Sequence, residues 1–116
     1  EAPSPATLVD TVRGESTAVV AARVERARSC AITRQGHVNG KLSVDELEVH
    51  ASLSPSARQV LVGELEASRL TGRGYHRVRR VARTIADLDG YDGDVTDDHV
   101  REALLMRVAL RNPLHA

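Results

Sequence analysis

Five arginines crowd one short stretch of the sequence, TGRGYHRVRRVARTIADLDG, running from Thr71 to Gly90. At 100° per residue, Arg73, Arg77, Arg80 and Thr84 share one stripe of a helix. His76, Arg83 and Asp87 lie beside that stripe, and an apolar arc lies opposite. A guanidinium offers a planar fork of donors that matches a phosphate or carboxylate. Arg73 falls in the first turn, just after the cap residue Thr71. Positive charge there opposes the helix dipole, so it is poorly placed unless an anion is near. The free N–H groups of a helix start also favour a phosphate. Two plainer uses stand beside this one. The stripe can be a solvated face paired with neighbouring helices, or it can follow a nucleic-acid backbone. Tyr75 and Tyr91 are the only aromatic platforms for bases, which argues against sequence-specific reading.

No other constellation carries comparable chemistry. The sequence contains no G-x-x-x-x-G-K-[ST] phosphate loop, no H-E-x-x-H, no cysteine cluster and no nucleophile elbow. The DGYDGD run, Asp89 to Asp94, starts like a calcium loop but lacks the later spacing and the closing glutamate. It reads as a solvated turn. His37, His50, His76, His99 and His115 stand singly, without metal-pair spacing, and read as surface or rim residues; no metal site is expected.

The elements that must position Arg73 are helical throughout. A first helix is expected from about Ser16 to Arg34, with Val20, Val24, Ala27 and Ala31 inward and Gly36 as its C-terminal cap. A short second helix runs from about Val44 to Ala51, opened by the Ser43/Glu46 capping box. The third runs from about Pro55 to Leu70, capped by Ser54, with Ala57, Leu61 and Leu65 as its stripe. The fourth spans Gly72 to Leu88, and Val78, Val81, Ala82, Ile85 and Leu88 form its arc. The fifth runs from about Asp97 to Arg107, capped by Thr96, with Val100, Ala103 and Leu104 inward. The expected fold is an all-α bundle of about five helices. Residues 1–13, with two prolines, read as an extended linker, and 113–116 as a tail around a domain at 14–112.

Composition sets the remaining bounds. The 116 residues amount to one domain, and 41% hydrophobic content supports a core. With no Trp, no Phe and two Tyr, that core must be Ala, Val, Leu and Ile. The formal net charge is zero, and Lys41 is the only lysine among 16 basic residues. Overall charge therefore selects neither polyanions nor membranes. A single cysteine, Cys30, points to a reducing, cytoplasmic setting, and its apolar surroundings predict a packed thiol. No stretch is long and apolar enough to span a bilayer. The chain lacks an initiator Met and reads as a fragment.

GRGYHRVRRVARTIADLDG resembles the C-terminal domain of magnesium-chelatase-like AAA+ proteins, in the branch of the competence protein ComM. GESTAVVAARVERAR, the NGKL stretch and DDHVREALLMR are similar to further family segments, in the same order. The likeness covers about residues 14 to 108. Ser29-Cys30-Ala31 replaces a Gln-containing run, and Arg79 stands where the family has an apolar residue, which raises the odds of a DNA or subunit contact. The resemblance implies the helical lid of a ring-forming ATPase. It assigns Arg73 the "sensor 2" contact with the terminal phosphates of ATP, made in cis or in trans. It gives Tyr75, Arg77 and Arg80 supporting roles or DNA or subunit contacts. ATP and Mg²⁺ would be held by the AAA+ core of the same chain, so the fragment alone is not expected to be an enzyme. It is expected to be monomeric by itself. Neighbouring ring subunits, and DNA as a further partner, follow from a parent acting as a DNA helicase and branch-migration motor in recombination. Two rivals remain: the lid of a magnesium chelatase subunit, and a free-standing helical module that binds DNA or protein.

Overall fold

A computed structural model of the chain describes residues 16–111; the expected linker at 1–13 and tail at 113–116 lie outside the described residues. Five α-helices follow one another: α1 (Thr17–Gln35), α2 (Val44–His50), α3 (Pro55–Glu66), α4 (Gly72–Leu88) and α5 (Asp97–Arg111). A 3₁₀ turn, Asn39–Lys41, stands between α1 and α2. The fold is a small all-α bundle.

Local chemistry starts each helix. Ser16, Ser54 and Thr71 accept from the backbone N–H three residues on, at 3.1, 3.1 and 3.0 Å. Ser43 and Glu46 close a reciprocal capping box at 3.1 and 2.9 Å. Thr96 and His99 build a similar box with an imidazole in place of the carboxylate. The Thr96 hydroxyl faces the His99 N–H at 3.4 Å, and the Thr96 N–H donates to His99 Nδ1 at 3.1 Å. His99 is therefore buried, not on the rim.

Two ends differ from the sequence reading. Helix α3 stops at Glu66, before Leu70, because Ser68 adopts φ 61°. The Arg69 N–H then reaches the Glu64 carbonyl at 2.9 Å and the Ser68 N–H the Leu65 carbonyl at 3.0 Å. This is the Schellman closure, built on serine where glycine is usual. It aims Leu70 into the core and delivers the chain to Thr71. Helix α5 runs on to Arg111, a turn beyond the expected end.

Helix α4 is the axle. Its apolar face, Val78, Ala82 and Ile85, packs with Leu53, Ala57, Leu61 and Leu70 from the α3 side and Val95, Val100 and Ala103 from the α5 side. A second cluster, Leu42, Leu47 and Ala51, seats α2. A short parallel bridge, Ser54 N–H to the Val95 carbonyl at 2.9 Å and Val95 N–H to the Ser52 carbonyl at 2.8 Å, ties the two connections together. The bundle covers less apolar surface than the patterns suggested. On α1 only Ala27 and Ala31 are buried, while Val24 is 50% exposed and Cys30 is exposed rather than packed. Val81 of α4 is also exposed.

Candidate functional site

The arginines of α4 divide by depth. Arg79 is 1% exposed. Its Nη2 donates to the Leu47 and Ala51 carbonyls at 3.1 and 2.8 Å, and its Nη1 to Glu48 Oε1 at 2.8 Å. These carbonyls lie at the C-terminal end of α2, where that of Leu47 also accepts the Ala51 N–H at 2.9 Å, so one guanidinium caps a neighbouring helix and meets the negative end of its dipole. Arg79 also stands over the Tyr75 ring at 5.7 Å. The bond from Arg79 holds the Glu48 carboxyl below its ordinary range. Arg80 is half-buried and donates from Nε to the Leu42 carbonyl at 2.8 Å, which fixes the residue before the α2 cap.

Arg83 is 2% exposed. It donates to the Gly93 and Tyr91 carbonyls at 3.0 and 2.6 Å, and so shapes the DGYDGD turn from inside. Its Nη2 lies 3.1 Å from Asp87 Oδ1. Burial pulls this guanidinium below its usual pKa, against the opposing field of Asp87. Asp87 is buried and also takes both ends of the Arg34 fork, each at 3.0 Å, and an N–H of Asn39 at 2.8 Å. The Asn39 carbonyl oxygen accepts from Arg34 at 2.9 Å and Gln35 at 2.8 Å, and its amide also donates to Thr84 at 3.1 Å. This polar knot joins α1, the 3₁₀ turn and α4. The sequence reading put Arg83 and Asp87 beside a solvated stripe and gave Arg79 to outside contacts; all three are internal. Their polarity concealed how many backbone carbonyls needed donors.

Arg73 and Arg77 behave differently. Both are exposed, and neither has a hydrogen bond or ion pair among the described residues. Arg73 is the second residue of α4. The Thr71 hydroxyl occupies the Gly74 N–H, which leaves those of Gly72 and Arg73 without a partner inside the helix. Both arginines line a groove of about 400 Å³ between α4 and α5. Val78, Val81, Ala103 and Met106 form its apolar part, and Arg107 of α5 closes the other side. Tyr75 and Arg80 do not line it. Tyr75 packs on the main core with its ring edge against His76, at 5.2 Å between centroids. The structure therefore brings together Arg73 and Arg77 in the groove, while Tyr75 packs on the core and Arg80 bonds the Leu42 carbonyl. Sequence reasoning missed Arg107, which it treated only as the end of the last helix.

Among the described residues, no group of three His, Cys, Asp or Glu side chains could hold a metal ion, and no helix is long and apolar enough to cross a membrane.

Comparison with known proteins agrees with this architecture. The family described as "Magnesium chelatase, subunit ChlI C-terminal" matches residues 14–107. Competence protein ComM of Haemophilus influenzae is 35% identical over 99 residues, covering 85% of this chain and 19% of that protein. The uncharacterized protein YifB of Escherichia coli is 37% identical over 114 residues, covering 97% and 22%. YifB of Salmonella typhimurium is 32% identical over 103 residues, covering 89% and 20%. The chain thus spans about a fifth of the length of these curated relatives. No solved structure matches it significantly. Matched across most of its length in both comparisons, the chain belongs to the magnesium chelatase subunit ChlI C-terminal family and is similar to the ComM and YifB proteins.

Proposed function

We propose that this domain is the nucleotide-responsive lid of a ring-forming AAA+ ATPase resembling ComM, and that Arg73 is its phosphate contact. One observation carries the reading. Of the arginines on α4, Arg73 at the helix entrance and Arg77 one turn on are exposed and without a hydrogen bond or ion pair among the described residues, while Arg79 and Arg83 are buried and Arg80 is half-buried and bonded through Nε to a carbonyl. A guanidinium set against the helix dipole, with no carboxylate beside it, is stabilised when an anion arrives.

In this reading ATP and Mg²⁺ sit in the P-loop core of the longer protein. Arg73 reaches the terminal phosphates, in cis or from a neighbouring subunit. There it stabilises charge on the γ-phosphate oxygens during transfer. The contact exists in only one nucleotide state, so it biases the position of the lid and converts hydrolysis into movement. By family resemblance, the work done is DNA unwinding or branch migration during recombination. The likeness to a protein named competence protein ComM supports this reading over metal insertion into a porphyrin, although the family itself carries the name of a magnesium chelatase subunit. A free-standing DNA-binding module is less well supported. Arg80 is tied to the Leu42 carbonyl, so the continuous basic stripe such a module needs is interrupted.

The test is Arg73→Ala in the longer protein that carries this domain behind its P-loop core. ATPase turnover should fall by about 10²–10³, with the domain still folded. Unchanged turnover would remove the sensor assignment.

A further inference from the structure

Resting on that reading, and extending it, we infer that Arg107 is a second phosphate-binding residue: with Arg73 and Arg77 it forms a two-helix clamp for a polyphosphate anion. Arg73 and Arg77 come from the first turns of α4, and Arg107 comes from the far end of α5. All three line the same groove. None has a hydrogen bond or ion pair among the described residues. Other arginines are paired, Arg34 with Asp87, Arg69 with Glu64, Arg79 with Glu48 and Arg101 with Asp97, while Arg26, Arg28 and Arg58 stand singly on the surface; what sets Arg73, Arg77 and Arg107 apart is that they share one groove. Three cations on one groove, with no carboxylate among its described lining residues, repel one another unless an anion enters.

Gly74 sharpens the argument. A Cβ at this position would stand 3.2 Å from Nη2 of Arg107, and 3.4 Å from Leu70 Cδ2 and Thr71 Oγ1. The guanidinium therefore lies against the bare backbone of the first turn of α4, one residue from Arg73. Glycine has no conformational reason to be there, since it sits inside a helix without positive φ. Alanine would favour the helix by about 0.5–1 kcal/mol. What glycine supplies is close approach of three side chains, the arginine nearest among them. The groove then presents guanidiniums on two walls, which suits a chain of phosphates better than a single one.

The probe is inorganic tripolyphosphate, titrated into the 116-residue chain and followed by amide chemical shifts. Shifts should concentrate at Arg73, Gly74, Arg77 and Arg107. Arg107→Ala should weaken binding about tenfold, as expected for one charged hydrogen-bonding contact. Arg107→Lys should recover only part of it, because the charge returns without the fork. Gly74→Ala keeps every charge but displaces the Arg107 guanidinium, and should weaken binding while the amide spectrum of the folded domain is retained. Arg101→Ala, on the same helix, should change nothing. The inference is overturned if tripolyphosphate fails to bind, if Arg107→Ala binds as wild type, or if Arg101→Ala weakens binding equally. Loss of turnover in Arg73→Ala alongside unaltered binding in Arg107→Ala would leave the sensor reading standing and remove only the clamp.

Discussion

The two ends of α4 use the same side chain for opposite purposes. Toward its C-terminus Arg83 is enclosed, and midway Arg79 and Arg80 are spent on carbonyls of other segments. At the N-terminus Arg73 and Arg77 line a groove and have no hydrogen bond or ion pair among the described residues. The difference lies in what backbone each arginine meets. A short helix such as α2 ends in unpaired carbonyls, and a buried guanidinium can satisfy several at once. A helix start offers only N–H groups, which repel the cation and leave it for a ligand. Residue type alone therefore separates neither structure from function on this helix; the polarity of the nearest backbone does.

The largest effect expected from breaking the internal half is at Asp87. Asp87→Ala strands Arg34 and Arg83 together and removes an Asn39 acceptor. Loss of one partner from a buried ionic network costs about 3–5 kcal/mol. Chemical denaturation should show this as a lower midpoint with little change in slope, and a midpoint near wild type would mean the knot is dispensable. Arg79→Ala follows, at about 2–4 kcal/mol, since it uncaps α2 and leaves a void beside Leu47. Amide exchange should accelerate across α2 first.

The carboxylate partner of Arg79 matters less, and pH isolates it. Glu48 is 60% exposed at its side chain, so its pairing is screened and worth about 0.5 kcal/mol or less. Its carboxyl is held below the ordinary range in the folded state. The contribution is therefore present above the unfolded-state value and lost as pH falls through the folded-state one. Glu48→Gln should lower stability slightly near pH 7. As pH falls through the folded-state value of Glu48, variant and wild type should converge, apart from effects common to both. A gap that persists in acid would assign the effect to packing instead of charge.

The sequence made the helix starts legible because caps are local. Ser43 with Glu46, Ser54 with Pro55 and Thr71 each act within three residues, and each lies where expected. The end of α3 was hidden, since nothing about Ser68 announces a left-handed residue. The apolar stripes overreached at Val24 and Val81, because periodicity reports an amphipathic face and not how much of it a small bundle covers. Arg73 stood out through a purely local conflict between its charge and the helix dipole. Arg107 could not, because its nearness to Gly74 exists only once α5 packs on α4. Arg79 and Arg83 failed for the same reason. Their partners are carbonyls of α2 and of the α4–α5 turn, and a helical projection of α4 contains neither.

A small change in stability is expected at the open end too, and its sign is the informative part. Arg73→Glu replaces an unpaired cation in the first turn with an anion, next to the free N–H groups of Gly72 and residue 73. The dipole then favours the side chain, by about 0.3–1 kcal/mol at low salt. Repulsion with Arg77 also turns to attraction across one helical turn. The domain should melt slightly higher, and the gain should fade as salt is added. Phosphate-dependent activity of the longer protein should meanwhile be lost. A residue whose reversal strengthens the fold while abolishing turnover is maintained at a cost to stability, which a purely structural arginine would not be. If instead Arg73→Glu melts lower than wild type, the arginine has an internal partner, and the contrast between the two ends of α4 collapses.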